Sequence, residues 1–350
     1  MVEPFIQIIR FVFVVLVAFG VGMVLVVPVE KIITKLNSRK HIAKQGAPIF
    51  SQMHAAKEGT PVMAGMIVWG TVVVLVIVFF IFSKSFDGFW GQVSFLNRSQ
   101  TYLPLAMMVI AALVGAADDI AGIVKFRGKN GFSMKERLVL FTAVALIGAW
   151  WFAAKLGWDV LHIPFLGDVT IGIIPYALFF IMVVVATSFS LDLTNGLDGL
   201  AEGVALVALS CLAVVAFAEG RYDLAVFTGS LIGGLVAFLW FNIYPARFFM
   251  GDTGAMSLGV VIAVIALLTN TALLLPFFGF VMVLESLTDI VQLTSKKFFK
   301  KKVFISAPLH HHFEARGWPE PRVTMRFWIV SGLAAGFGMI IFFVDKFLLK

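Results

Sequence analysis

Three of the chain's six histidines stand together at His310, His311 and His312, with Glu314, Trp318, Glu320 and Arg322 close behind. Three further polar islands interrupt an apolar chain: Asp118-Asp119, the run Asp192-Leu193-Thr194-Asn195-Gly196-Leu197-Asp198-Gly199, and Met250-Gly251-Asp252-Thr253-Gly254. Adjacent carboxylates repel, and keeping both ionised favours a divalent cation or a shared proton. The pair Asp118-Asp119, taken alone, is equally a solvated helix end. Asp192, Asn195 and Asp198 recur every three residues and project from nearly one face of a helical turn. Helix capping explains one of these three polar residues, not all. Asp252 or Thr253 could cap a following helix, and a helix N-terminus there would also suit phosphate. Phe249 and Asn242 could stack on, and hydrogen-bond to, a base. Adjacent histidines point in different directions, so the triplet serves zinc poorly and phosphate better, with Arg322 or Arg326 nearby. Magnesium suits the set, because it takes one or two protein carboxylates and completes its shell with water and phosphates. Carboxylates, imidazoles, glycines and basic segments together suggest phosphoryl-group transfer, in which positioning and charge neutralisation do most of the work.

The elements that must position these groups are membrane spans. Hydrophobic residues make up 60% of the chain and charged residues 13%, against about a quarter charged in soluble domains. Mean hydropathy is +0.99. Apolar runs near 5–27, 62–83, 101–118, 137–155, 171–190, 200–218, 224–242, 255–271, 274–295 and 326–346 are each long enough to cross roughly 30 Å of hydrocarbon. Pro276 and Gly279 interrupt the ninth. The expectation is an all-α integral membrane protein of about ten transmembrane helices, one domain over 1–350. The first span lacks a basic flank and a small-residue cleavage site and reads as an anchor. A single cysteine, Cys211, excludes an intrachain disulfide and a cysteine-metal cluster.

Charge distribution orients the spans. The segments 28–61, 118–137, 190–200, 242–255 and 295–326 carry 20 of the 27 Lys and Arg residues. The positive-inside rule puts this set in the cytoplasm and both termini in the periplasm. All four polar islands then fall on the cytoplasmic face, so one cytoplasmic active site is expected. Residues 159–173 alternate around a Gly-Asp turn and predict a small periplasmic β-hairpin, in which His162 stands alone as a solvated surface histidine. Lys296, Lys297, Lys300, Lys301 and Lys302 resemble a nucleic-acid patch but, just beyond a span, suit anionic membrane lipids; no nucleic-acid partner is expected.

Several stretches are specific enough to carry a resemblance. They are Lys57 with Gly59-Thr60-Pro61, Trp240-Phe241-Asn242, Pro245-Ala246-Arg247-Phe248-Phe249-Met250-Gly251-Asp252-Thr253-Gly254, and Ala307-Pro308-Leu309-His310-His311-His312-Phe313-Glu314 with Gly317-Trp318-Pro319-Glu320-Pro321-Arg322 and Arg326-Phe327-Trp328. In these the chain resembles the phospho-N-acetylmuramoyl-pentapeptide transferases of the polyprenyl-phosphate N-acetylhexosamine-1-phosphate transferase superfamily. The resemblance implies a ten-helix fold in the bacterial inner membrane, often a homodimer, with a Mg²⁺-dependent cytoplasmic site. It implies that undecaprenyl phosphate attacks UDP-MurNAc-pentapeptide to give lipid I and UMP, the first membrane step of peptidoglycan synthesis. Asp118 and Asp119 would serve the metal and the lipid phosphate, Asp252 would be a magnesium ligand, and Asp198 an essential aspartate. Lys57, Asn242, Gly196, Leu197 and Phe249 would line a uridine pocket, and His310, His311 and His312 would contact phosphate and sugar. Asp192, Asn195, Lys125 and Arg322 complete the expected substrate-binding set.

The chain departs from the family pattern in places. Asp192 and Asn195 have exchanged identities, which leaves net charge unchanged but puts an amide where a carboxylate is usual. Phe189 stands for an asparagine. Gly122 stands for a lysine after the aspartate pair, with Lys125 and Arg127 following. Related readings are a transferase using UDP-GlcNAc or another UDP-amino sugar, a catalytically decayed lipid-binding homologue, or a transporter. Against the last, the ionisable residues gather at one face, apart from Glu285 and Asp289 in the ninth span.

Overall fold

The computed structural model describes residues 2–38, 57–125 and 131–347; Arg127 lies outside them. Helices account for almost everything described, because lipid leaves no partner for free backbone N–H and C=O groups. The first is α1 (Val2–Lys35), then α2 (Met66–Ser85), the short α3 (Phe89–Gln92), α4 (Tyr102–Ile123) and α5 (Met134–Trp151), which a π-helical turn extends to Leu156. A two-stranded sheet follows, β1 (Val160–Ile163) and β2 (Gly167–Thr170), and then α6 (Ile173–Thr194), α7 (Leu200–Ala218) and α8 (Tyr222–Asn242). The chain continues through α9 (Gly251–Leu268), α10 (Leu275–Phe278), α11 (Phe280–Phe298), the short α12 (Leu309–Ala315) and α13 (Glu320–Phe347). Nine helices among the described residues are long and apolar enough to cross a membrane, ten if a bent pair counts as one. That pair, Ala272–Phe278 and Phe280–Phe298, turns by 87° at the expected break.

Helix α9 lies at the centre: 94% of its apolar window is buried inside the protein. It packs against α4 and α6, while α1 and α2 pack on α8, and α13 on α7. Close approach of α4 and α9 depends on a missing side chain. A Cβ at Gly115 would stand 2.5 Å from the Asp252 carbonyl oxygen. Small residues at crossings allow such contact where lipid gives helices little hydrophobic drive to associate. The Thr253 hydroxyl donates to the Ala112 carbonyl across the same crossing, 2.9 Å. These contacts bring the end of α4, with Asp118 and Asp119, to the start of α9.

The hairpin forms as expected, antiparallel, with Val160 opposite Thr170 and Ile163 opposite Gly167. His162, however, is not a lone solvated residue. Its Nδ1 lies 2.6 Å from Asp168 and its Nε2 2.7 Å from Asp345 at the end of α13, while its backbone N–H donates to Asn270. The Phe165 N–H also donates to Asp345, 2.8 Å. Sequence alternation revealed the turn but not the distant carboxylate that holds the hairpin down.

Candidate active site

The four polar islands meet. One cavity of about 330 Å³ is lined by Asp119, Arg137, Asp192, Asn195, Asp252 and His310, among others that include Gly196, Leu197, Asn242, Phe249 and His311. Asp119 and His311, 192 positions apart in sequence, thus share one concave surface.

Local structure explains each placement. Asp119 on α4 accepts the N–H groups of Asp252 at 3.1 Å and Thr253 at 3.0 Å, capping α9 from another helix. A carboxylate there satisfies free donors and complements the helix dipole. The cap expected from Asp252 or Thr253 is therefore supplied by Asp119, and the Asp252 side chain is left to the cavity. Asp118 is buried and accepts from the Phe132 N–H at 2.6 Å. Its other oxygen makes an ion contact with Arg137 Nε at 2.5 Å. Arg137 Nη2 reaches Asp252 at 2.7 Å, and Nη1 reaches Asp192 at 3.5 Å. Arg137 was not among the residues expected from sequence. A capping box, Ser133 with Glu136, starts α5 and sets Arg137 on its first turn; that Ser-x-x-Glu pattern ahead of an apolar run was the available signal.

The turn at 195–199 is locked from two sides. Asn242 accepts from the Gly199 N–H at 2.7 Å and donates to the Phe248 carbonyl, so both ends of its amide are engaged in holding the turn. Asp198 accepts from the Ala246 N–H and from Lys57 Nζ, at 3.0 and 2.5 Å. Lys57 also contacts Glu320 at 2.5 Å, and Glu320 accepts the Asp198 N–H at 2.6 Å. The Trp328 indole donates to the Gly199 carbonyl. The start of α13 therefore clamps the aspartate segment, a role for Glu320 that sequence did not assign. Lys57 lies 5.6 Å from the centre of the Phe249 ring, at a distance suited to a cation–π contact.

The histidines divide. Gln292 on α11 binds the backbone of Val303 and Phe304 and so steers the chain into α12. His310 donates its backbone N–H to buried Glu285, and its Nδ1 lies 3.0 Å from the same carboxylate. Its Nε2, buried and without a hydrogen-bond partner among the described residues, is pressed against Gly196, where a Cβ would stand 2.2 Å away. Gly196 is therefore a steric requirement of the imidazole. His311 lines the cavity with Nδ1 2.7 Å from Glu314. His312 turns elsewhere, accepting the Ile305 N–H at 3.2 Å beside Phe304. Lys125, just past α4, and Arg322, on α13, are exposed and outside the cavity lining, and Arg326 stacks on Trp318. Phe189 packs edge-on against Phe141, also outside the lining.

The donor chemistry fits a hard divalent cation: Asp118, Asp192 and Asp252 bring carboxylates to Arg137, and Asp119 lies against the backbone of Asp252. No cage of three or more ligands is preassembled among the described residues, and magnesium, which keeps waters and substrate phosphates in its shell, does not require one. Fold and cavity define a multi-pass membrane protein with a polar, carboxylate-rich site. Residues 101–270, which carry Asp118, Asp119, Asp192, Asp198 and Asp252, match the family described as Glycosyl transferase family 4. The chain is 36% identical over 319 residues to the phospho-N-acetylmuramoyl-pentapeptide-transferase of Chloroflexus aggregans, covering 86% of this chain and 82% of the relative. The protein of the same name from Anoxybacillus flavithermus is 39% identical, with 72% and 77% covered. That from Ruegeria pomeroyi is 38% identical, with 68% and 71% covered. The chain belongs to the phospho-N-acetylmuramoyl-pentapeptide-transferase family.

Proposed function

We propose that this chain transfers phospho-MurNAc-pentapeptide from UDP-MurNAc-pentapeptide to undecaprenyl phosphate, giving lipid I and UMP at the cytoplasmic face of the bacterial inner membrane, as a homodimer. The observation that carries the reading is the single cavity in which Asp119, Asp192, Asp252, His310 and His311 converge. A terminal phosphate oxygen of the lipid attacks the sugar-linked phosphorus of the donor. The bond from that phosphorus to the bridging oxygen breaks, and UMP leaves with the electron pair. Asp252, with Asp118 or Asp119, would hold a magnesium ion, whose chemistry there would be charge neutralisation on the diphosphate.

The protein's own groups account for the rest. Lys57 and Phe249 flank the place for the nucleotide, with Lys57 fixed by Asp198 and Glu320. The imidazole of His310, oriented by Glu285, forms part of the wall against which the phosphate and sugar would lie. An apolar groove of about 260 Å³ runs between α6 and the bent α10–α11 pair, past Phe179, Met182 and Met282 to Ser190. Ser190 lies two residues before Asp192, so a polyprenyl chain in that groove would deliver its phosphate to the cavity.

The test is UMP release by the purified protein with UDP-MurNAc-pentapeptide and undecaprenyl phosphate, with and without Mg²⁺. Release is expected only with all three present. Asp252→Ala should abolish it, and an active Asp252→Ala enzyme would remove the metal assignment. Turnover of UDP-GlcNAc in place of the muramoyl donor would move the protein to a sibling activity, and binding without product would make it a decayed homologue.

A further inference from the structure

The proposed reaction gives no task to Arg137, the arginine of the cavity. Arg137 enters from α5 and reaches three carboxylates on three other helices: Asp118 on α4, Asp192 on α6 and Asp252 on α9. Each contact uses a different guanidinium nitrogen, the planar fork that favours Arg over Lys for gathering several oxygens. Three carboxylates so close repel one another strongly unless a cation stands among them or a proton is shared. Arg137 is a cation standing among them. Asp119 is engaged differently, in capping α9.

The exchange of residues at 192 and 195 fits this arrangement. The carboxylate at Asp192 falls within reach of Arg137, at 3.5 Å. The amide of Asn195 lines the cavity and makes no side-chain hydrogen bond among the described residues. Placing the charge at 192 therefore adds a third carboxylate to the guanidinium and leaves a neutral donor and acceptor on the cavity wall.

We propose that Arg137 is a resident counter-cation, holding Asp118, Asp192 and Asp252 together while the cavity is empty and competing with a divalent cation for their oxygens. The idea rests on the cavity being a metal–diphosphate site. A cation arriving alone must displace the guanidinium and binds weakly. With a diphosphate present, the freed guanidinium gains a phosphate to pair with, through charge-assisted hydrogen bonds. Cation and nucleotide sugar then favour each other's binding, as coupled ligands must.

The experiment uses the full chain in detergent, stripped of metal with chelator, and measures Mn²⁺ affinity by electron paramagnetic resonance in the absence of nucleotide. Arg137→Gln should bind Mn²⁺ at least about fivefold more tightly than the parent, since a like charge beside the carboxylates is gone. Arg137→Lys, which keeps the charge, should stay within about twofold. In the parent protein, Mn²⁺ should also speed modification of Arg137 by phenylglyoxal, read by peptide mass spectrometry, because the guanidinium is released. Unchanged or weaker Mn²⁺ binding by Arg137→Gln would overturn the proposal, as would equal tightening by Arg137→Lys. Should Arg137→Gln not fold, a modification rate unaltered or slowed by Mn²⁺ does the same. A preparation that showed these effects but never released UMP would sink the transferase reading alone. An active enzyme whose Mn²⁺ affinity ignored position 137 would sink only the counter-cation.

Discussion

At the scale of single residues, buried acids turn general-purpose side chains into aimed ones. An imidazole has two nitrogens, and the partner of one decides what the other presents. Glu285, fully buried on α11, takes the Nδ1 side of His310 and its backbone N–H, which fixes the ring at the cavity wall with Nε2 against Gly196. Glu320 does the same for Lys57, which it shares with Asp198. Removing such an orienting carboxylate should cost on the order of 10–100-fold in activity, as it does for other imidazoles held by acids. Glu285→Ala is expected to lower kcat/KM for UMP release by that amount and to destabilise the protein by about 1–3 kcal/mol, since two buried donors lose their acceptor. Glu285→Gln, which keeps one acceptor oxygen, should retain more of both. Equal activity in Glu285→Ala and the parent, measured under saturating lipid, would show that His310 needs no orientation.

At the scale of elements, the site depends on how closely α4 can approach α9. A side chain at position 115 would meet backbone, not a movable neighbour, with a Cβ 2.5 Å from the Asp252 carbonyl oxygen. Gly115→Val is expected to destabilise by about 1–3 kcal/mol through overpacking and to reduce UMP release, because Asp118 and Asp119 are carried away from Asp252. Gly332→Ala on α13 is the control: a Cβ there meets nothing within 4 Å. It should be neutral or stabilising by up to about 1 kcal/mol, since alanine is the better helix former. Thermal unfolding in detergent separates the two, and a Gly115→Val protein as stable as Gly332→Ala would contradict the tight crossing. Elements of this kind were largely legible in the chain. Apolar length marked every span, and Pro276 with Gly279 marked the 87° bend. The ends were not: α1 runs on to Lys35 and α13 begins at Glu320, because helical hydrogen bonding continues past the apolar run. Nor were the partners legible. Glu285 and Glu320 meet His310 and Asp198 only through folding, and no local spacing announces a contact across 122 residues. The cavity members Asp119, Asp192, Asp252, His310 and His311 were visible because polar side chains in an apolar chain need a reason to be there.

At the scale of the whole molecule, the end remote from the cavity carries its own ionic fastening. His162 on β1 ties the hairpin to α13 through Asp345, with Asp168 on its other side. The neighbouring charges are Arg221, whose guanidinium lies over Trp158, and the Lys346–Glu219 pair. Partial burial alone would push the His162 imidazolium pKa down, but the hydrogen bonds it donates to Asp168 and Asp345 outweigh it, and the net shift is upward from the usual 6.5. A histidine raised on folding contributes stability that is fully present below its unfolded value, near 6.5, and is lost as pH rises through the raised one. The hairpin should therefore dock firmly at acidic pH and loosen as the medium turns alkaline. The midpoint of thermal unfolding should fall as pH rises from about 6.5 upward, and His162→Asn should flatten that part of the profile while leaving UMP release at neutral pH near the parent's. The cavity and the hairpin are far apart in the fold, so the variant separates fastening from chemistry. A His162→Asn profile with the parent's slope would mean that some other group titrates, and the clamp between β1 and α13 would lose its role.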